Sequence, residues 1–166
     1  MKLDNVKTVP SYLAVDPKLV STVDEYIKLA ADRNIKFTKR INVGFSKIAE
    51  TNGLSRVIGF CTLAADFREI DIDSVFYEKA SEERKKFLLF HELTHCYCGR
   101  DHDFDAKNAY LPIETELIVK NYQKRLGFFL DECPVSIMHP QIVSDSCIKD
   151  HRKEYINEMF DRCHPY

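Results

Sequence analysis

The chain has 166 residues, 45% hydrophobic and 30% charged, with 24 Lys and Arg against 26 Asp and Glu. That is enough apolar material for one self-supporting core, and the charge balance has no surplus to steer the chain onto nucleic acid or an anionic membrane. No apolar run approaches the ~20 residues that cross a bilayer, and the opening MKLDNVKTVPSYLAVDP lacks the continuous apolar segment of a secretion signal, so a cytoplasmic location is expected.

Asp16-Pro17 opens the first element. Asp is a good N-cap, Pro fits the first helical position, and Leu19, Val20, Val23, Ile27, Ala30 and Ala31 follow at helical spacing, which predicts an amphipathic helix ending near Asn34. INVGFSKIAE (41–50), RVIGFCTLA (56–64) after the turn-like TNGLS, and FREIDID (67–73) read as strands of one sheet. The last is expected to be half exposed, because Ile70 and Ile72 alternate with charged residues. Ser81 then caps a second helix with Glu82 and Glu83 in its first turn; Phe87, Leu88 and Phe90 lead into HELTH, and Gly99 is the natural stop. A less regular stretch follows, with a helix expected over about 113–126 carrying Leu117, Ile118 and Leu126. Ile148, Tyr155, Ile156, Met159, Phe160 and Cys163 put one apolar stripe on a closing helix. The six cysteines, Cys61, Cys96, Cys98, Cys133, Cys147 and Cys163, are scattered, and without an export signal most are expected to be reduced, buried small hydrophobes, with Cys98 the exception.

The segment HELTHCYCGRDH (91–102) carries the chemistry. On a helix that turns about 100° per residue, His91 and His95 lie about 40° apart and one turn apart on the same face, so two imidazoles can share an ion. Glu92, beside the first of them, can flank a water at that ion and act as its general base without binding the metal. Neutral imidazoles suit Zn2+, and a catalytic zinc site keeps three protein ligands and one open position. Gly99 tolerates positive φ and can reverse the chain, which lets His102 swing back as third ligand.

The pattern HExxHxxxGxxH resembles the HExxHxxGxxH signature of the metzincin zinc peptidases, with one extra residue before the glycine. SIMHP (136–140) looks like the methionine turn of that superfamily, with Met138 a packing floor beneath the histidines. Together with the ending YINEMF, these motifs are also similar to small uncharacterised metallopeptidases of bacteria and phages. The resemblance implies an α+β, two-lobed metzincin-like fold with a small mixed sheet, an active-site helix and a C-terminal helix. It implies one catalytic domain over 1–166, with an N-terminal lobe of about 1–99 and a C-terminal lobe of about 100–166. It also implies a zinc-dependent peptidase acting on a peptide or protein laid along the strand at 67–73, with Glu92 as base and His91, His95 and His102 on the metal.

Rival assignments stay open at this level. Cys98 lies on nearly the same face as His95 and its thiolate could close a structural zinc site, while Glu114 and Glu116 follow at a spacing close to that of the gluzincin peptidases. Arg100 and Asp101 are expected to form a local ion pair, Asp103 and Asp105 either to orient a ligand histidine or to be loop carboxylates, His139 either to face solvent or to assist an oxyanion, and His151 and His164 to be surface residues. The competing functional class is a zinc-stabilised binding or virion component without turnover. The oligomeric state is not readable.

Overall fold

The computed structural model describes residues 14–48, 57–102, 133–139 and 142–165. The helix expected at 113–126, the TNGLS turn, and Asp103, Asp105, Glu114 and Glu116 lie outside the described residues.

In chain order the elements are β1 (Ala14–Val15), α1 (Val20–Ala31), β2 (Arg40–Ser46), β3 (Gly59–Leu63), β4 (Phe67–Asp73), α2 (Ser74–Lys79), α3 (Glu82–Cys98) and α4 (Asp145–Glu158). Asp16 does not cap α1 directly. Its carboxylate accepts from Lys18 N at 2.9 Å and its carbonyl from Leu19 N at 2.8 Å, forming a turn that delivers Leu19 to the cap position. Beyond α1, Asn34 takes φ 60° and Ile35 N returns to Ala30 O at 3.0 Å, so the helix closes where a left-handed residue ends it.

The fold is α+β with a small mixed sheet in the order β1-β2-β4-β3. β1, β2 and β4 run parallel, pairing Val15 with Val43 and Val43 with Ile70; β3 runs antiparallel to β4, pairing Cys61 with Ile70 and Gly59 with Ile72. The alternation in FREIDID has the expected consequence: Arg68, Ile70 and Ile72 are buried while Phe67, Glu69 and Asp71 are only partly covered. One expectation is corrected here. β4 is hydrogen-bonded on both sides, to β2 and to β3, so it has no free edge to offer a peptide; among the described residues the outer strands are β1 and β3.

Asp73 ends the sheet and starts α2, its carboxylate accepting from Phe76 N at 3.2 Å and from Ile48 N at 3.4 Å. Ser81 Oγ caps α3 by accepting from Arg84 N at 3.2 Å and also donates to Asp145, which joins the starts of α3 and α4. α3 is covered on nearly every side, with Phe87, Leu88, Leu89, Phe90, Leu93, Cys96, Tyr97 and Cys98 all buried, as befits a helix held between a sheet and two other helices. One continuous core joins it to Val23 and Tyr26 of α1, Ile41 and Ile70 of the sheet, Ile137 and Met138, and Ile148 and Tyr155 of α4.

The cysteines are not reduced, which is a second correction. They form three disulfides, Cys61–Cys96, Cys98–Cys163 and Cys133–Cys147, and no described cysteine is free. The first ties β3 to α3, the second ties the end of α3 to the chain beyond α4, and the third anchors the segment before the Met138 turn to α4.

Candidate metal centre

α3 carries His91 and His95 on one face, their ring centroids 4.6 Å apart and their Nε2 atoms 3.0 Å apart. Gly99, at φ 63° and ψ 25°, caps the helix in the left-handed region and turns the chain so that His102 comes back over them. His102 Nε2 lies 3.2 Å from His91 Nε2, and its ring centroid lies 4.8 Å from that of His95. Each of the three histidines offers one ligand atom within 4.8 Å of the others, so the extra residue before Gly99 does not keep His102 away.

Two backbone carbonyls fix the ring orientations. His91 Nδ1 donates to Ile137 O at 2.7 Å and His95 Nδ1 to Arg100 O at 2.5 Å. A carbonyl oxygen can only accept, so both Nδ1 atoms carry the proton and both Nε2 atoms present a lone pair. Burial, with the neighbouring histidine adding to it, holds the His91 imidazole down at a pKa of about 3; burial also lowers those of His95 and His102. At neutral pH the cluster is therefore three uncharged imidazoles in which the Nε2 lone pairs of His91 and His95 face each other at 3.0 Å, an arrangement that favours a cation between them. Ligands ~2.0–2.1 Å from a tetrahedral ion lie about 3.3 Å apart, close to the 3.0 and 3.2 Å separations here, so the donor set fits such an ion.

Glu92 projects beside this cluster, 4% exposed, and burial raises its carboxyl to a pKa of about 8. Among the described residues no hydrogen-bond donor is paired with it. Its side chain lies against Gly59 of β3 so closely that a Cβ there would stand 2.8 Å from Oε1. A cavity of about 210 Å³ opens in front of it, with mainly apolar walls from Val57, Leu88, Ile137, Ile142 and Val143 and with His91, Glu92, His102 and His139 at its polar end. His139 is thus a cavity residue, whereas His164 is exposed and His151 stacks edge-on to Tyr155.

Behind the histidines is a network that the sequence did not disclose. Arg100 is not simply a local partner for Asp101: its guanidinium reaches Glu158 of α4, with Nη2 on Oε1 and Nη1 on the backbone oxygen at 2.8 Å. The other oxygen of Glu158 accepts from Ser136 Oγ at 3.0 Å and Ile137 N at 3.2 Å, and Ser136 Oγ accepts from Met138 N at 2.9 Å. Met138, fully buried, sits at the bend this creates. Cys98 is excluded as a thiolate ligand by its bond to Cys163.

Residues 14–116 match the model of a family described as "Putative phage metallopeptidase", a stretch that contains His91, Glu92, His95 and His102. No curated protein and no solved structure matches the chain. The matched region is more than half of the sequence, and the chain belongs to this phage metallopeptidase family.

Proposed function

We propose that this member of the phage metallopeptidase family is a zinc-dependent peptidase in which His91, His95 and His102 hold the ion and Glu92 is the general base. The observation that carries the reading is the convergence of the Nε2 atoms of His91, His95 and His102, with 3.0 Å from His91 to His95 and 3.2 Å from His91 to His102, beside the buried Glu92. Neutral imidazoles suit zinc, and three of them leave a coordination position for water or substrate. Zinc held by the three histidines would supply Lewis acidity toward the scissile carbonyl and toward a water. A cation held beside Glu92 would favour the ionised carboxylate that burial otherwise disfavours, and that carboxylate takes a proton from the attacking water and hands it to the leaving amine nitrogen.

The substrate is an extended peptide that adds to the edge of β3 that no described strand covers, the strand whose Gly59 lies against Glu92, and not to β4. The apolar cavity next to Glu92 takes an apolar side chain flanking the scissile bond. The chain works as one catalytic unit divided as in metzincins at about residue 100, and the cavity draws its walls from both sides of that boundary. The Met138 turn, whose Ile137 carbonyl orients His91, supports the metzincin likeness. No described helix is long and apolar enough to cross a membrane, and three disulfides favour an oxidising location such as an assembled virion over a reducing cytosol.

Metal analysis by mass spectrometry should find one zinc per chain. Glu92→Gln should retain that zinc while turnover on a fluorogenic peptide falls ~100-fold or more. Zinc lost from the variant, or full turnover by it, refutes the assignment of the base.

A further inference from the structure

We propose that Glu158 is a positioning residue for the metal centre, holding in register the two backbone carbonyls that orient His91 and His95. This rests on the metal reading above. Each helical histidine is aimed by one carbonyl, His91 by Ile137 O and His95 by Arg100 O. Those carbonyls belong to chain segments far apart in sequence, the turn after α3 and the Met138 bend. Among the described residues Glu158 is the side chain that joins them: one carboxylate oxygen binds the Arg100 guanidinium and the other binds Ile137 N and Ser136 Oγ. Arg100 adds a second bond, from Nη1 to Glu158 O at the end of α4, an oxygen that also accepts from Asp161 N at 3.0 Å.

The clamp therefore sets the distance between the two orienting carbonyls and, through them, the angle at which the two Nε2 atoms face each other. Arg100 is 7% exposed and Ser136 6%, so water does not readily replace these bonds. A carboxylate suits the position because it accepts on both sides. Glutamine has one acceptor and one donor, and in either orientation its amide nitrogen meets a donor, the guanidinium on one side or Ile137 N and Ser136 Oγ on the other.

The test compares wild type, Glu158→Gln, Glu158→Asp and the control Asn157→Ala. Asn157 neighbours Glu158 but binds Arg33 Nη2 at 2.8 Å, away from the histidines. Zinc affinity is measured by chelator competition below every melting temperature, together with the visible spectrum of the Co2+-loaded protein. Loss of a group that orients a metal-ligating histidine typically costs ~10–100-fold in metal affinity. The expected result is a zinc Kd raised ~10-fold or more in Glu158→Gln, with altered Co2+ bands, and a smaller rise in Glu158→Asp, which keeps the charge but is one methylene short. Asn157→Ala should keep the wild-type Kd and spectrum even if it melts earlier. If the Glu158 variants melt earlier yet match wild type in Kd and spectrum, the residue is only a fold staple and the proposal is overturned. If wild type itself binds no zinc, the metal reading falls and this proposal with it.

Discussion

Gly59→Ala is a one-carbon change that should separate catalysis from metal binding. The backbone of Gly59 is not in the left-handed region, so alanine is conformationally acceptable there. The new Cβ would stand 2.8 Å from Glu92 Oε1 and 3.1 Å from its Cδ and Cγ. Ordinary van der Waals contact begins near 3.4 Å, so the carboxylate must retreat by about 0.6 Å. A flexible side chain can do that cheaply, and replacing glycine lowers the entropy of the unfolded chain, so stability should change by less than about 1 kcal/mol. Catalysis is less forgiving: a displacement of about 1 Å can cost ~100-fold, and 0.6 Å should therefore cost roughly 10-fold in kcat, or about 1.4 kcal/mol of barrier. The assay is kcat on a fluorogenic peptide, with zinc stoichiometry and melting temperature measured on the same sample. Wild-type kcat in Gly59→Ala would refute the argument, because it would mean that the position of Glu92 against β3 is irrelevant to turnover. Loss of zinc would refute it differently, by placing Glu92 on the metal.

His102→Ala should weaken zinc binding sharply in a chelator titration, while Glu114→Ala and Glu116→Ala should leave it nearly intact; the opposite ranking would assign the third ligand to a glutamate. Val143→Phe should fill part of the 210 Å³ cavity and lower kcat/KM most for peptides with a large apolar residue beside the cleaved bond, a selectivity change read from a peptide library. Replacing Cys98 and Cys163 together by alanine opens a link between residues 65 apart in sequence, which the chain-entropy relation values at about 4 kcal/mol; urea unfolding should show a loss of that order, and a loss below about 1 kcal/mol would mean that the link does not constrain the unfolded chain.

What the sequence disclosed was local. Ser81 and Gly99 delimit α3 because each acts on the backbone within a turn of itself, and FREIDID has its expected bounds because alternation with period two needs no partner to be recognised. His91 and His95 could be placed together from helix geometry alone, and His102 from one glycine. The misreadings all depended on distant partners. β4 is the last described strand of the sheet in sequence, but β3 runs antiparallel outside it, so the edge on that side belongs to the earlier strand. Arg100 has an acidic neighbour in Asp101 yet reaches Glu158, and nothing in the spacing of those residues announces the pair. The cysteine pairs span 35, 65 and 14 residues and follow no compact motif, so their scatter read as an absence of bonding. α2 has only six residues, too short for helical periodicity to register.

The long-range bonds that the sequence concealed converge where a helix is weakest. His95 lies in the last turn of α3, four residues before Gly99, and the final turn of a helix frays because its carbonyls lack intrahelical partners. A metal ligand there would wander unless the turn were held from outside. Cys96 is bonded to Cys61 on the sheet edge and Cys98 to Cys163 beyond α4, so two covalent ties follow the histidine within three residues. Gly99 N donates to His95 O at 3.2 Å, His164 N to Cys98 O at 3.2 Å, and Arg68 Nε to Cys96 O at 3.2 Å, which gives partners to three of the last carbonyls. The Arg100–Glu158 pair then fixes the first residues beyond the helix. Rigidity at this end serves the site in a way that hydrophobic burial alone would not, since burial holds the helix in place but leaves its terminal turn free to unwind. The same disulfide that ties Cys96 to Cys61 also holds β3 against α3, two residues along from the glycine that touches Glu92. His95, Glu92 and the β3 strand are thus tied together by bonds that persist only under oxidising conditions.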